Sequence, residues 1–333
     1  MTQAGHHRRV TLQDIADKAH CSRNTASLAL RDSPRISPVM RKKIHAIADK
    51  MGYVPNLAAR NLITRRSGMI GVYVRQIRDA VRMELVESLL RELHSPDYRP
   101  VLGVGNQQVQ WSASPWMGTF REMQVEALVI VCEADATLPT WASRIPTVLV
   151  GNDPIGSLRC DSVAIDRYEA GVMGIEHLAS RGHKRIIVAC PGYADGFSKG
   201  CVDSIRKMGL HAVTLHSETP RSSLVRVTAD MVCSNRSAKN RATAAIFGDS
   251  PQAAHFLHEM HTRGVRCPDE IAVVGYDFFP WAHMLKVSLT TIEQPIYELA
   301  SAAGETIKQR LASPKDSPRQ RILPHCLVIR DSG

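Results

Sequence analysis

The stretch CSRNTASLAL, residues 21–30, brings side chains that can read DNA bases to the start of a short predicted helix. Arg23 and Asn24 fall in its first turn, and Ser27 and Leu28 follow one turn later. An arginine can pair with O6 and N7 of guanine, an asparagine with N6 and N7 of adenine, and a leucine can contact a thymine methyl group. These four residues are therefore the candidate base readers, and a merely solvated helix face is the alternative.

Two short helices joined by a tight turn are predicted to hold these residues. Thr11 can cap the first helix, and Asp14 three residues later can complete a capping box. Ser22 can cap the second helix, which we place at residues 23–30. The turn begins at His20, where glycine would be accommodated most easily. This spacing predicts a helix-turn-helix, whose second helix enters the major groove with its N-terminal end.

A third helix is predicted over residues 38–51, with Ser37 as its cap, Pro38 at its first position and Gly52 at its end. Its apolar residues form one stripe, consisting of Met40, Ile44, Ile47, Ala48 and Met51. The starts of the three helices also supply donors for DNA phosphates. The candidate phosphate-contacting residues are Thr11, Leu12, Ser22, Thr25 and Ser37.

Positive charge is concentrated at the start of the chain. Residues 1–66 hold 13 Lys and Arg against 4 Asp and Glu, whereas the remaining residues hold 29 against 28. A basic head on a neutral body is typical of a nucleic-acid-binding module joined to something else, although charge alone also fits a solvated basic tail. The 333 residues leave room for two or three domains.

Several classes of protein are disfavoured by the composition. No apolar run approaches the roughly 18 residues of a membrane span, and the N-terminal MTQAGHHRRV is unlike a secretory signal. The 8 cysteines form no CxxC pair, so we expect reduced thiols. Asp166 and Glu169 are expected to cap and start a helix rather than to catalyse a reaction. We therefore expect a cytoplasmic, nucleoid-associated protein without enzymatic activity, cofactor, metal or membrane partner.

Beyond residue 67, short apolar runs alternate with helix-length segments. This alternation predicts parallel sheets covered by helices on both faces, which bind ligands at the carboxyl ends of their strands. The runs are residues 69–74, 99–105, 126–132, 145–151, 185–190, 242–248 and 271–277.

The first part of the chain resembles the DNA-binding head of the LacI/GalR family of bacterial transcription regulators. The shared motifs are the opening VT-x-x-D-I-A, S-x-x-T-x-S in the second helix, I-S-P before the third, and G-Y-x-P-N-x-x-A-R-x-L after it. The family usually has Gly-Val at His20 and Cys21. The resemblance implies a helix-turn-helix domain at residues 9–54, a hinge at 55–66 and an effector-binding and dimerisation domain at 67–333.

The hinge is assigned a role by the same resemblance. Two hinge helices, one from each subunit, would fold together in the minor groove at the centre of a palindrome. Asn56 and Ala59 match backbone-contacting positions, and Leu62 matches the residue that wedges between base pairs. An ordinary linker is the alternative.

The body resembles the family's periplasmic-binding-protein-like domain through GVMGIEHLASRGHKRI, IAVVGYD and SLTTIEQP. The implied fold is an all-α three-helix head and hinge helix joined to an α/β body of two lobes with parallel sheets. The N-lobe would comprise residues 67–181 and 294–323, and the C-lobe residues 182–293 and 324–333. The lobes would close around a small effector.

The effector-binding residues implied by the resemblance are Asp277, Phe197, Gly248, Asp249 and Asp166. Phe197 stands where sugar-binding members usually carry an arginine, and Phe278 replaces the second acid of G-Y-D-D. The sequence thus predicts a pocket less polar than a sugar site, with a sugar or sugar derivative as one candidate. Two alternatives stay open: Asp277 only caps a turn, or there is no effector.

Together these patterns predict a homodimeric, effector-responsive repressor of a palindromic DNA operator. One alternative is a ligand-binding or enzymatic α/β protein with an incidental basic head, which the helix-turn-helix disfavours. Another is a nonspecific architectural DNA binder. Arg23 and Asn24 disfavour that alternative, because nonspecific binding requires only phosphate contacts.

Overall fold

The computed structural model describes residues 10–54, 66–77, 80–106, 111–132, 139–151, 160–190, 196–216, 221–234, 241–277 and 280–333. The chain folds into two compact units, Met1–Ser67 and Gly68–Gly333. The first unit, the head, contains the helices α1 (Leu12–Ala19), α2 (Arg23–Ala29) and α3 (Pro38–Met51).

The helix boundaries of the head follow from local capping chemistry. The Thr11 hydroxyl accepts from the Asp14 amide at 3.3 Å, while the Thr11 amide donates to the Asp14 carboxylate at 2.7 Å, which completes the predicted capping box. His20 ends α1 in the left-handed conformation, with φ 54°, and Gly52 ends α3 with φ 63°. His20 thus occupies the region that a glycine would enter at lower cost.

A small apolar core holds the three head helices together. Its fully or nearly fully buried members are Ile15, Ala16, Ala19, Ala26, Ala29, Ile44 and Ala48. The alanines allow α1 and α2 to approach closely, and Ile44 fills the space beside them. The Lys43 ammonium also donates to the Ala19 carbonyl at 3.1 Å, which ties α3 to the end of α1.

The second unit, the body, is an α/β structure built on two sheets. The strands are β1 (Met69–Val74), β2 (Arg99–Val104), β3 (Ala127–Cys132), β4 (Thr147–Gly151), β5 (Asp161–Ile165), β6 (Arg185–Cys190), β7 (His211–His216), β8 (Ala244–Phe247), β9 (Ala272–Tyr276), β10 (Thr290–Glu293), β11 (Gln320–Leu323) and β12 (Cys326–Val328). The helices are α4 (Ala80–Leu93), α5 (Pro115–Glu122), α6 (Arg167–Ser180), α7 (Gly196–Lys207), α8 (Arg221–Ser234), α9 (Ser250–Thr262) and α10 (Ile296–Ala312).

The strands form two six-stranded sheets, ordered β11-β5-β4-β3-β1-β2 and β12-β10-β9-β8-β6-β7. Neighbouring strands in these sheets are parallel, except that β12 runs antiparallel to β10. Consecutive residues of β3 alternate between the cores on the two faces of the first sheet, as Val129 and Ile130 do. Continuous apolar strands therefore arise because both faces are covered, and the predicted two-lobed α/β body with parallel sheets is confirmed.

The first crossover between the sheets lies earlier than the sequence predicts. The family resemblance implies a crossover near residue 181, but α6 packs on the second sheet, where Ile175 and Leu178 share a core with β6 and β9. The chain therefore crosses at Asp166, directly after β5. Gly174 permits this packing, because a Cβ atom there would lie 2.4 Å from the Ile246 side chain. The later crossings fall between β10 and α10 and between β11 and β12.

Candidate DNA interface and effector cleft

The helix α2 begins with a cap that uses both nearby hydroxyl groups. The Ser22 hydroxyl accepts from the Thr25 amide at 3.0 Å and lies 2.8 Å from the Thr25 hydroxyl. This arrangement fixes the first turn, in which the next residues are Arg23 and Asn24.

The base-reading candidates lie on the outer side of α2. Arg23 and Asn24 are exposed, and Ser27 and Leu28 are half-buried. On the opposite side Ala26 and Ala29 are fully buried. The structure thus brings together the four residues that the sequence singled out. Two of them, with polar side chains, lie at the N-terminal end of a helix that packs on the core of the head.

The phosphate-contacting candidates are already engaged within the head. The Thr11 hydroxyl donates to Asp14 at 2.7 Å, and the Ser37 hydroxyl accepts from the Met40 amide at 3.4 Å. Leu12 is half-buried beside the head core. These groups act first as structural elements of the helix starts, and a contact with phosphate would be added to that role. Asn56, Ala59 and Leu62 lie outside the described residues.

The sequence reasoning missed Arg31. Its guanidinium donates through Nη2 to the Ser27 hydroxyl and through Nε to the Ser27 carbonyl, each at 3.1 Å. The signal that could have found it is spacing, because Arg31 stands four residues after Ser27, which itself stands four after Arg23.

In the body, Asp277 follows β9 at the carboxyl edge of the second sheet. Its φ of 102° is unusual for a residue with a side chain. The Asp277 amide donates to the Ile292 carbonyl at 3.0 Å, and the Ser250 hydroxyl lies 3.2 Å from its carbonyl oxygen. The half-buried side chain thus extends from a backbone held on both sides. A strained backbone conformation that is maintained by the surrounding structure is often found at ligand sites.

Three other effector candidates lie at strand ends, and two of them cap helices. Asp166 accepts from the amides of Tyr168 and Glu169 at 2.9 and 3.2 Å, so it starts α6 as expected. Asp249 accepts from the Gln252 amide at 3.2 Å and starts α9. The Gly248 amide donates to the Ala189 carbonyl at 3.0 Å, which extends the pairing of β8 with β6. All three residues are half-buried.

Phe197 has a different environment from the one predicted. Its side chain is 0% exposed and packs on Tyr276, with ring centroids 4.5 Å apart. The ring points into the core because α7 lies against α6, where a Cβ atom on Gly171 would lie only 2.2 Å from the Phe197 carbonyl oxygen. The expectation that Phe197 lines the effector pocket is therefore corrected, since its ring has no open surface in this structure.

Tyr276 is the centre of a polar cluster that includes a residue from each crossover. The Gln294 amide donates to its hydroxyl at 3.3 Å, and the His325 Nε2 atom lies 3.3 Å from the same oxygen. The guanidinium carbon of Arg167 lies 5.5 Å from the centre of its ring, within cation–π range. We call Tyr276, Arg167, Gln294 and His325 the hinge cluster.

The hinge cluster is buried enough to affect titration. Burial lowers the pKa of His325 to about 4, with the Asp166 carboxylate opposing and the Arg167 charge adding to the shift. The neutral imidazole of His325 can accept a hydrogen bond from the Tyr276 hydroxyl, and the same hydroxyl oxygen accepts one from Gln294. The Tyr276 hydroxyl therefore has both a donor and an acceptor as partners. Sequence reasoning missed Arg167, Gln294 and His325, because only the fold brings them to Tyr276.

Neither a membrane span nor a metal centre is found in the described ranges. No helix there combines the length and the apolar character needed to cross a bilayer. The described residues also contain no group of three or more His, Cys, Asp or Glu side chains that could hold a metal ion.

Comparison with known families matches both parts of the chain. Residues 11–56 match the family described as "Bacterial regulatory proteins, lacI family", and residues 175–333 match the "Periplasmic binding protein-like domain". The HTH-type transcriptional regulator DegA of Bacillus subtilis is 24% identical, with 97% of this chain and 98% of the relative covered. The HTH-type transcriptional regulator GalS of Salmonella typhimurium is 26% identical, with 97% and 96% covered.

Solved structures agree with this assignment at the level of the fold. A lac repressor dimer bound to operator and the anti-inducer ONPF superposes with a TM-score of 0.83 at 20% identity, covering 98% of this chain and 99% of that one. The transcriptional regulator CelR in complex with cellobiose gives 0.67 at 20% identity, covering 98% and 100%. Along the chain, a helix-turn-helix domain of the lacI family of bacterial regulatory proteins is therefore followed by a periplasmic-binding-protein-like domain, as in the transcription regulators of the LacI/GalR family to which the chain is similar.

Proposed function

We propose that the protein is a homodimeric transcriptional repressor that binds a palindromic DNA operator and responds to a small molecule held between the lobes of its body. It acts in the cytoplasm, at the nucleoid, and catalyses no reaction. Relatives with similar heads and bodies are named as transcriptional regulators or repressors, among them the ribose operon repressor of Haemophilus influenzae at 25% identity.

The observation that carries this proposal is the leading end of α2. Arg23 and Asn24 are exposed there, while Ala26 and Ala29 on the opposite side are fully buried. A helix supported in this way can insert its first turn into the major groove without rearranging the head. Guanine and adenine are the bases that these two side chains recognise best, so each half of the operator should contain both.

Two subunits are needed to read a palindrome, and the hinge is proposed to align them. Asn56 and Ala59 contact the DNA backbone, and Leu62 wedges between base pairs in the minor groove. An isolated helix of about two turns is unstable in water, so we propose that the hinge helix is stabilised by the second subunit and the operator. This coupling connects the geometry of the body to DNA affinity.

The effector site is proposed to lie at the carboxyl ends of the strands, as in other open α/β sheets. Asp277 is the main candidate for an effector contact, because its side chain is half-buried and its backbone is held in place. Gly248 and Asp249 follow β8 at the same edge, Asp166 follows β5 at the carboxyl edge of the first sheet, and all three keep their capping and pairing roles. The hinge cluster lies beside this edge, so an effector that displaces Asp277 would also disturb Tyr276.

The test is selection of bound sequences from a random duplex library by the purified full-length protein at moderate ionic strength. We expect an enriched palindrome, and we expect Arg23→Ala to relax the preference at one base pair in each half. Arg66 and Lys50 carry positive charge elsewhere in the first unit, and Lys50→Ala is the matched control that should preserve the enriched sequence. Recovery of unenriched sequences by the wild-type protein would leave only nonspecific DNA binding.

A further inference from the structure

Arg31 makes a two-point contact with a residue of the base-reading face. Its Nη2 atom donates to the Ser27 hydroxyl and its Nε atom donates to the Ser27 carbonyl, both at 3.1 Å. Arg31 is exposed and Ser27 is half-buried, so the pair lies at the surface of the head.

The end of α2 explains one of these two hydrogen bonds. The helix stops at Ala29, and the Arg31 amide donates to the Leu28 carbonyl at 3.3 Å instead of to Ser27. The Ser27 carbonyl would otherwise lack a partner from the helix, and an arginine side chain near a C-terminus can satisfy such a group. The second hydrogen bond, to the hydroxyl, is not needed to end the helix.

The bond to the hydroxyl restricts what Ser27 can offer to DNA. A serine hydroxyl has one hydrogen to donate and two lone pairs. Here one lone pair is occupied by a cationic donor, which polarises the O–H bond and strengthens donation of its hydrogen. Ser27 is thereby prepared to donate to an acceptor in the major groove.

We propose that Arg31 is a positioning residue for sequence recognition, which holds the Ser27 hydroxyl as a hydrogen-bond donor. The base opposite Ser27 must then present an acceptor, such as N7 or O6 of guanine or O4 of thymine, and cytosine N4 is disfavoured because it is a donor. This inference rests on the proposed function and extends the reading face beyond Arg23 and Asn24.

The experiment compares the base preferences of the wild-type full-length protein with those of Ser27→Ala, Arg31→Ala, Arg31→Lys and the double variant Ser27→Ala with Arg31→Ala. Binding is measured to duplexes that carry each base in turn at every position of the selected half-site. We expect both alanine variants to relax the same base pair by about five- to tenfold, and the double variant to relax it no further.

Arg31→Lys separates positioning from charge. Lysine keeps the positive charge but lacks the planar fork that reaches two Ser27 atoms at once. We therefore expect this variant to retain the affinity for random duplexes and its salt dependence while losing the preference at the Ser27 base pair. Lys50→Ala removes one exposed charge from α3 and should lower binding to all duplexes by the same factor.

Melting curves of each variant show whether the head remains folded, and Arg31→Lys decides the result if Arg31→Ala is unstable. The proposal is overturned if the Arg31 variants keep the wild-type preference at every base pair. It is also overturned if they weaken binding to all duplexes equally, as Lys50→Ala does. A wild-type protein without any base preference would instead overturn the proposed function, so the two failures are distinguishable.

Discussion

The head and the body hold their polar groups in different ways. In the head, Arg23 and Asn24 project into solvent from a short helix, above a core made largely of alanines. In the body, Tyr276 and the residues around it satisfy one another beneath the surface, at the junction of the two sheets. The head is therefore ready to meet a partner as it stands, whereas a change in the body must break existing contacts.

This contrast indicates that the head is suited to recognition and the body to a change of conformation. A binding surface whose conformation is already fixed loses little conformational entropy when it binds a partner, which favours tight and selective recognition. A buried polar cluster at crossover segments has a small number of alternative arrangements, which is the property that a switch requires. Substitutions in the head and in the body can test each side of this contrast separately.

The largest effect is expected from Ile44→Ala in the head. Ile44 is fully buried, and its truncation should destabilise the head by about 2–5 kcal/mol. Val39→Ala on the same helix is the matched control, because Val39 is 80% exposed and the change should cost less than about 0.5 kcal/mol. Calorimetry should show an early transition in Ile44→Ala only, together with loss of DNA binding. A head that tolerates both changes equally would mean that its core does not support α2.

The next effect concerns the pH dependence of the body. Burial lowers the pKa of His325 to about 4, from an ordinary value of 6.5. The unfolded chain therefore binds a proton that the folded chain does not, and the free energy of unfolding should fall as pH drops from about 6.5 towards 4. His325 alone accounts for about 3 kcal/mol of this loss.

Urea unfolding at a series of pH values measures the contribution of His325 to the pH dependence of stability, with His325→Gln as the comparison. His177 and His183 also have pKa values lowered by burial, so a smaller dependence of the same sign should persist in the variant. If the free energy of unfolding varied with pH in the same way in both proteins, His325 would be exposed to water rather than buried in the hinge cluster.

A smaller effect is expected where α6 meets α7. A Cβ atom on Gly200 would lie 2.0 Å from the Tyr168 carbonyl oxygen, so Gly200→Ala should force the helices apart and cost about 1–3 kcal/mol. Gly118→Ala in α5 meets nothing within 4 Å and should stabilise the body by up to about 1 kcal/mol. Opposite shifts in melting temperature are the expected result, and shifts of the same sign would contradict the close packing.

The smallest effect is expected from Tyr276→Phe. The change keeps the ring contact with Phe197 but removes the oxygen shared by Gln294 and His325, which should cost about 1–2 kcal/mol. Because the cluster joins all three crossovers, small-angle scattering of the variant should show a wider range of lobe separations. A profile identical to that of the wild-type protein would mean that the cluster does not restrain the lobes.

Local signals make most of the head predictable from its sequence. Capping residues and apolar periodicity act within a few positions of the chain, so Thr11, Ser22 and Ser37 are sufficient to indicate where the three helices start. The spacing of four residues makes Arg31 a candidate neighbour of Ser27, but only the conformation at the end of α2, where the backbone amide of Arg31 no longer reaches Ser27, identifies the hydrogen bond to the Ser27 carbonyl.

The body is predictable as a pattern of strands and helices but not as a site. Tyr276 and His325 are separated by 49 residues, and spacing gives no indication that they meet. Phe197 is assigned to the pocket by analogy with a family position, yet the packing of α7 on α6 turns its ring into the core. The same packing explains why the first crossover lies at Asp166 instead of at the end of α6.

The most direct test of the central claim is the equilibrium affinity of Arg23→Ala for the selected palindrome and for a random duplex of equal length, at one salt concentration. Reading of bases by the first turn of α2 predicts a loss of about 1–3 kcal/mol on the palindrome and almost none on the random duplex. Equal losses on both would contradict it, because Arg23 would then contribute only charge.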